Sequence, residues 1–339
     1  MSEVNSEVID LIYGRWRSQI LYAGVELGVF DHLPSNSSKP AQTLATELHV
    51  DASLLYRLMR ALASLGLLVE NESCGFATSE TGELFRSDHP QSMRYRVLNT
   101  EGPEHYAIWK HLPDIIRDGR QDGFVREFGA PGFEYAKGNE RYRRTFDRAM
   151  TGYSTAQSNL VLGALRDYDF SSLRTICDVG GGHGYLICAL LSAHPHLSGF
   201  VLDLPEVLND PDRLWARKLG VEDRCTYVSG DMFKKVPSAD VYSLKMILHD
   251  WSDQECIEIL ANLRSTAPAP DGKVFIVEHV VPAPNEPHFS KLFDIHMMCW
   301  GAGRERTEGE YARLLEAAGW KYHRAWYPND RTIGIVEGR

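Results

Sequence analysis

The sequence predicts an α/β protein: a Rossmann-like, doubly wound domain in the C-terminal half, preceded by a mostly α-helical N-terminal module of winged-helix type. Three observations carry this. From about residue 173, short apolar runs alternate with amphipathic stretches of helical period. The first of those runs ends in the glycine-rich stretch CDVGGGHGYL at 177–186. The first hundred residues hold two helical segments separated by a short turn and followed by a hairpin signal.

In order along the chain, segment 4–28 places Val4, Val8, Ile12, Ile20, Val25 and Leu27 at helical spacing. After the turn PSNSSKP, the stretch AQTLATELHVDASLLYRLMRALASLGLLVE reads as helix, turn, helix, with Asp51 as the N-cap of the second. LLVENESCGFATSE then supplies two short strands around a polar turn, the wing. Three regions are expected: a winged-helix dimerisation domain at 1–100, a helical substrate-binding region rich in aromatics at 101–165, and the α/β domain at 166–339. In that domain LRTICDV, SGFVLDL, CTYVSGD, ADVYSLKMIL, GKVFIVEHVV and RTIGIVEG read as strands. GYLICALLSAH, EVLNDPDRLWARKLG, SDQECIEILANLRSTA and TEGEYARLLEAAG read as helices between them.

Composition narrows the function. The 339 residues carry a formal net charge of −10, and no basic run stands out. Nucleic-acid binding rests on clustered Lys and Arg meeting phosphates, so no nucleic-acid partner is expected, nor an acidic membrane. A winged helix invites a DNA-binding reading, but its second helix offers only Arg57 and Arg60 among Leu54, Leu55, Leu58, Met59 and Leu62. That face is made to be buried, not to read base edges. The N-terminus is acidic where a signal peptide would be positive, so a cytoplasmic location is expected. Six scattered cysteines without a CxxC pair indicate neither zinc nor a disulfide framework, and no metal is expected.

The glycine run can be read as a turn, a dinucleotide fingerprint or another cofactor loop. G-x-G-x-x-G fails: counted from Gly180 it needs Gly at 185, where Tyr185 stands. The acid-x-G-x-G-x-G loop of S-adenosylmethionine (AdoMet) enzymes fits completely with Asp178, Gly180, Gly182 and Gly184. The next strand ends in Asp203, placed to accept from ribose hydroxyls, a logic shared with NAD sites. The third ends in Asp231, Met232 and Phe233, an acceptor for an adenine amino group beside two apolar side chains. The fourth leads into LKMILHDW, which puts His249 at the same sheet edge; imidazole is suited to take a proton near neutral pH.

Taken in order, DVGGGHG, DLPEV, GDMF, LHDW and RERT resemble the O-methyltransferase family that includes plant caffeic acid and acetylserotonin methyltransferases and bacterial antibiotic-pathway enzymes. The likeness spans nearly the whole chain. It implies methylation of a hydroxyl on a small aromatic metabolite, and a homodimer that exchanges N-terminal helices. It implies AdoMet contacts from Ser154, Lys245 and Trp251 besides those above, and His249 as general base flanked by Glu278 and Glu305. Phe146, Met150, Asp294, Met297, Met298 and Trp300 match positions that shape the acceptor pocket. The stretches LIYGRWRSQILYAGVELGVFD and FDIHMMCWGAGRERT look near a phenazine-1-carboxylate N-methyltransferase, which lacks the histidine this sequence keeps. That departure favours oxygen over nitrogen. The alternatives are a same-fold enzyme that methylates nitrogen, hydroxylates or decarboxylates, and a DNA-binding regulator with an AdoMet sensor.

Overall fold

The computed structural model describes residues 3–268 and 270–339, with side-chain burial from residue 7. Its contacts divide into two compact units, Met1–Ile108 with Phe133–Tyr153, and Trp109–Gly132 with Ser154–Arg339. The helical stretch 101–165 is thus shared between the two.

In the first unit, the helix Glu3–Glu26 precedes helices Ala41–Leu48 and Ala52–Ser64. Asp51 caps the last of these by accepting from the Leu54 amide at 2.8 Å. The wing has three strands, not two: β1 (Lys39–Pro40), β2 (Leu68–Glu70) and β3 (Gly75–Thr78), in the order β1-β3-β2. β1 is the last two residues of the PSNSSKP turn, where a two-residue pairing leaves no period for sequence to display. Leu55, Met59 and Leu62 of the second helix join Val25, Phe30 and Leu44 in this unit's own core. Much of that helix's apolar face is therefore spent inside the unit, while Leu54 stays 61% exposed. Leu11 and Ile12 on the first helix remain 83% and 64% exposed.

The second unit is built on a seven-stranded sheet in the order β6-β5-β4-β7-β8-β10-β9. Its strands are β4 (Thr175–Val179), β5 (Ser198–Asp203), β6 (Cys225–Ser229), β7 (Val241–Lys245), β8 (Lys273–Glu278), β9 (Tyr322–Trp326) and β10 (Gly334–Gly338). The first five in that order are parallel; β10 runs antiparallel to β8, and β9 to β10. Side chains alternate between two cores. Cys177 and Val179 face one and Ile176 the other, as do Val274 and Ile276 against Phe275 and Val277. Both faces are covered, as a parallel sheet requires.

Besides the strand β9 and the helix Phe289–Trp300, which the sequence reading does not contain, two elements of this unit differ from expectation. Residues 206–220 form a 3₁₀ turn at Pro211–Arg213 and a short helix at Trp215–Lys218 instead of one long helix. Pro211 lacks an amide proton and pushes Asp210 out of helical conformation, and the Asp210 side chain accepts from the Asp212 amide at 3.2 Å. The strand read as 239–248 stops at Lys245, where Met246 turns the chain at φ 55°. Among the described residues, no helix is long and apolar enough to cross a membrane.

Candidate active site

Because β4 to β8 are parallel, their C-terminal ends share one edge, and the sequence-predicted polar residues gather there. β4 ends in the glycine loop. Gly180, Gly182 and Gly184 take φ of 66°, 57° and 84°, the left-handed region that only glycine enters without strain. A Cβ on Gly180 would also strike Ile247, while nothing lies within 4 Å of the Cβ position on Gly182. The loop therefore offers bare backbone to open space, as a cradle for a ligand does. Gly184 then starts the helix Tyr185–Ala193.

Asp203, at the end of β5, clasps this loop. One carboxylate oxygen accepts from the Gly182 amide at 2.7 Å and the other from the Leu204 amide at 2.7 Å. Burial pushes its pKa up, and the two amides oppose that. Asp178 is buried beneath the loop. It accepts from the Ser243 hydroxyl at 2.6 Å, and its second oxygen has no partner. Burial raises its pKa to about 6 against the Ser243 hydrogen bond. Beyond β6, Asp231 accepts from the Phe233 amide at 3.0 Å, and Met232 packs against the core. Phe233 meets Trp251 edge to face with centroids 4.9 Å apart, so these two rings share a wall at the β6–β7 end. Lys245 closes β7. Burial lowers its pKa, while Asp178 and Glu278 oppose that.

The loop after β7 carries the reactive candidate. Met246 in left-handed backbone redirects the chain, its amide held by the Val277 carbonyl at 2.9 Å, into the turn Leu248–Asp250. His249 there is 6% exposed. Its Nδ1 lies 2.8 Å from Glu305 Oε1 and 3.8 Å from Glu278 Oε2; its Nε2 is 3.7 Å from Asp250 Oδ1. An ionised carboxylate can only accept, so the Glu305 contact puts the proton on Nδ1 and leaves Nε2 as the acceptor of the neutral ring. Glu278, wholly buried at the end of β8, uses Oε1 to accept from the amides of Ile247 (3.1 Å) and His249 (3.3 Å). It fixes the turn as well as charging its surroundings. Burial presses the His249 pKa down, but Glu278, Asp250 and Glu305 outweigh it and carry it to about 10. Burial raises Glu278 to about 8. His249, Glu278 and Glu305 also bring one ligand atom each within 4.8 Å of the others, close enough for a cation. The 2.8 Å imidazole–carboxylate contact is the length of a charge-assisted hydrogen bond.

The segment 303–306 binds this turn in ways the sequence did not announce. The Arg304 amide donates to the His249 carbonyl at 2.8 Å. The Arg306 guanidinium, fully buried, donates to the Leu248 carbonyl at 2.9 Å and the Trp251 carbonyl at 2.8 Å, and pairs with Asp253. Gly303 passes so close to the His249 carbonyl that a Cβ would collide with it. Asp294 accepts from the Glu305 amide at 2.8 Å, so it steadies the residue that orients His249.

The remaining predicted positions are less concentrated. Met297 is buried, Met298 is half-buried, and Trp300 meets Phe124 edge to face at 6.4 Å. Ser154 is half-buried in the helix Glu140–Ala164. Phe146 and Met150 belong to the first unit, where Phe146 packs on Tyr142 and Phe133. Phe293 and His296 were not singled out, yet Phe293 lies 5.9 Å from His249, ring to ring. The signal that would have found them is their spacing with Phe289 and Trp300, four, three and four residues apart along one helix.

A mixed sheet with a glycine loop after its first strand and acids at the ends of the next two is the fold of a class I methyltransferase, with AdoMet as cofactor. The chain belongs to the O-methyltransferase family: residues 109–321 match the O-methyltransferase domain and residues 9–88 the O-methyltransferase dimerisation domain. It is 37% identical over 337 residues to the phenazine O-methyltransferase PhzM of Lysobacter antibioticus, covering 99% of this chain and 96% of that protein. It is 35% identical over 317 residues to a 3-amino-4-hydroxybenzoate 4-O-methyltransferase of Streptomyces cremeus, covering 93% and 84%. The crystal structure of LaPhzM superposes with a TM-score of 0.90 at 36% identity, covering 100% and 99%. The S-adenosylhomocysteine-bound form of CalO1, a methyltransferase in calicheamicin biosynthesis, gives 0.83 at 31%, covering 100% and 99%.

Proposed function

We propose that this protein methylates a hydroxyl group of a small aromatic metabolite, with His249 as the general base. The observation that carries the reading is the Nδ1–Glu305 hydrogen bond at 2.8 Å, which leaves Nε2 as the nitrogen able to receive a proton. AdoMet, when bound, supplies an electrophilic methyl on a good leaving group, so the protein's own task is placement and deprotonation. Asp203 and the glycine loop hold the donor side; His249 serves the acceptor side. A phenol, with pKa about 10, keeps its proton at neutral pH and is a poor nucleophile until relieved of it. Flanking acids lift the imidazole to about 10, so the free-base form that can take the proton grows as the pH rises toward that value. A neutral amine attacks through a lone pair it already has, so an acid-oriented imidazole favours oxygen over nitrogen. The name of the Streptomyces cremeus relative, whose acceptor carries both groups, likewise specifies oxygen. The chain acts as a homodimer, a reading supported by its dimerisation-domain match and by the exposed Leu11 and Ile12.

An aminophenol offered with methyl-labelled AdoMet tests this. Label on oxygen, located by fragmentation of the product, is expected; label on nitrogen alone would overturn the reading.

A further inference from the structure

Two buried thiols meet beside the cofactor loop. Cys188, in the helix Tyr185–Ala193, and Cys225, the first residue of β6, bring their sulfurs to 3.7 Å. Both are free cysteines; Cys188 is fully buried and Cys225 is 7% exposed. β6 is an edge strand of the sheet and Thr226, next to Cys225, is exposed, so the pair lies one residue from solvent. The contact between the sulfurs holds the Cys188 thiol below its usual pKa against the effect of burial, and together with burial it pushes Cys225 up. Cys188 is thus the member of the pair that more readily reaches the reactive thiolate form.

The same residues are tied to the glycine loop. The Cys188 amide donates to the Gly184 carbonyl at 3.0 Å, so this sulfur hangs on the helical turn that the loop starts. Tyr227 lies two residues along β6 from Cys225 and on the same face, with its hydroxyl 3.8 Å from the Cys188 sulfur. That hydroxyl donates to the His183 carbonyl, within the loop, at 3.0 Å and accepts from the Ala216 amide at 3.2 Å. It also stands where a Cβ on Gly184 would collide with it. A change in the spacing of Cys188 and Cys225 therefore passes directly to His183 and Gly184.

We propose that Cys188 and Cys225 are a modification site, joined by peroxide into a reversible disulfide that distorts the glycine loop and weakens AdoMet binding. Hydrogen peroxide transfers one oxygen to the Cys188 sulfur, giving a sulfenic acid and water. The Cys225 sulfur then attacks the sulfenic sulfur; the S–S bond forms, the S–O bond breaks, and hydroxide leaves with the Cys225 proton as a second water. The two thiols lose two electrons and the one peroxide gains them. Because a disulfide holds its sulfurs at about 2.0 Å, bond formation draws this pair roughly 1.7 Å closer. The helix start and the Tyr227 hydroxyl, which brace the loop from either side, are pulled out of register with it. The switch acts on cofactor binding and is independent of which acceptor atom is methylated.

Protein treated with hydrogen peroxide can be alkylated, digested and mapped by mass spectrometry, with S-adenosylhomocysteine affinity measured by calorimetry before and after treatment. A peptide holding Cys188 is expected joined to one holding Cys225, lighter than their sum by two hydrogens. Affinity should fall at least about tenfold, the scale set by a displacement on the order of 1 Å in a binding site, and dithiothreitol should restore it. In Cys188→Ala the same treatment should leave affinity unchanged, because the exposed Cys74 lies in the other unit. No cross-link, a cross-link without loss of affinity, or a loss that persists in folded Cys188→Ala would each overturn the proposal. Should that variant not fold, Cys225→Ser takes its place under the same criterion, and if neither folds the wild-type map and affinities decide.

Discussion

The two ends of the site are held together by different kinds of physics. At the β4–β5 end, backbone does the holding: three glycines in left-handed conformation and an aspartate bonded to two amides at 2.7 Å. At the β7–β8 end, buried charged side chains do the holding, gripping one another and the backbone of the His249 turn. There an imidazole, two glutamates and a guanidinium come from segments up to 58 residues apart. The first arrangement is local and tolerates open space over the loop. The second is long-range and electrostatically stiff, because each buried charge depends on the others being present. On the proposed function, the difference makes donor binding and acceptor deprotonation separable, and substitutions should fall on one side or the other.

The largest effect is expected at His249. Changing His249→Gln should lower turnover about 10²–10⁴-fold, the usual share of a general base. AdoMet affinity, which belongs to the other end, should change by less than about threefold in calorimetry. A parallel loss in both would collapse the distinction. Asp203→Ala should act in the opposite sense. Losing a charged acceptor that clasps the loop and is placed for ribose hydroxyls should weaken AdoMet by about ten- to a hundredfold, near 1.5–3 kcal/mol. Circular dichroism should show the fold retained, and unchanged AdoMet affinity would remove Asp203 from the donor side.

The smallest expected effect is a shift in pH dependence. Burial opposes protonation of His249, but the acids around it raise its pKa, so the base form grows as pH rises through about 10. Turnover should therefore climb on the alkaline side. Glu278→Gln keeps an oxygen for the Ile247 and His249 amides but removes a negative charge from the imidazole. The imidazole should then lose its proton more easily, and the rising limb should move to lower pH by on the order of one unit, about 1.4 kcal/mol. A limb that stays in place or moves upward would show that Glu278 acts only on backbone.

The same contrast explains what the sequence made legible. The glycine loop and Asp203 could be read directly, because glycine spacing and a strand-terminal acid report on backbone geometry within a few residues. Asp51 as an N-cap was readable for the same reason. Glu278 and Glu305 came through family likeness, since nothing in their local spacing brings them to His249. Arg306 went unread: an arginine in a polar motif gives no sign that it is fully buried and bonded to two carbonyls of the His249 turn. Phe293 and His296 hid among apolar neighbours whose helical stripe was taken up at other positions. The helix expected over residues 206–220 failed at Pro211, where a local signal was present and outweighed by the periodicity on either side.

The central claim is that His249 removes the acceptor's proton, and varying the acceptor's acidity tests it most directly. Single-turnover methyl transfer can be compared between wild type and His249→Gln, first with a phenol of pKa near 10 and then with a nitro-substituted analogue already ionised at the assay pH. The deficit of the variant should be large for the first and nearly vanish for the second, because an acceptor without its proton has no need of a base. An equal deficit with both would contradict the assignment and leave His249 as a group that only shapes the site.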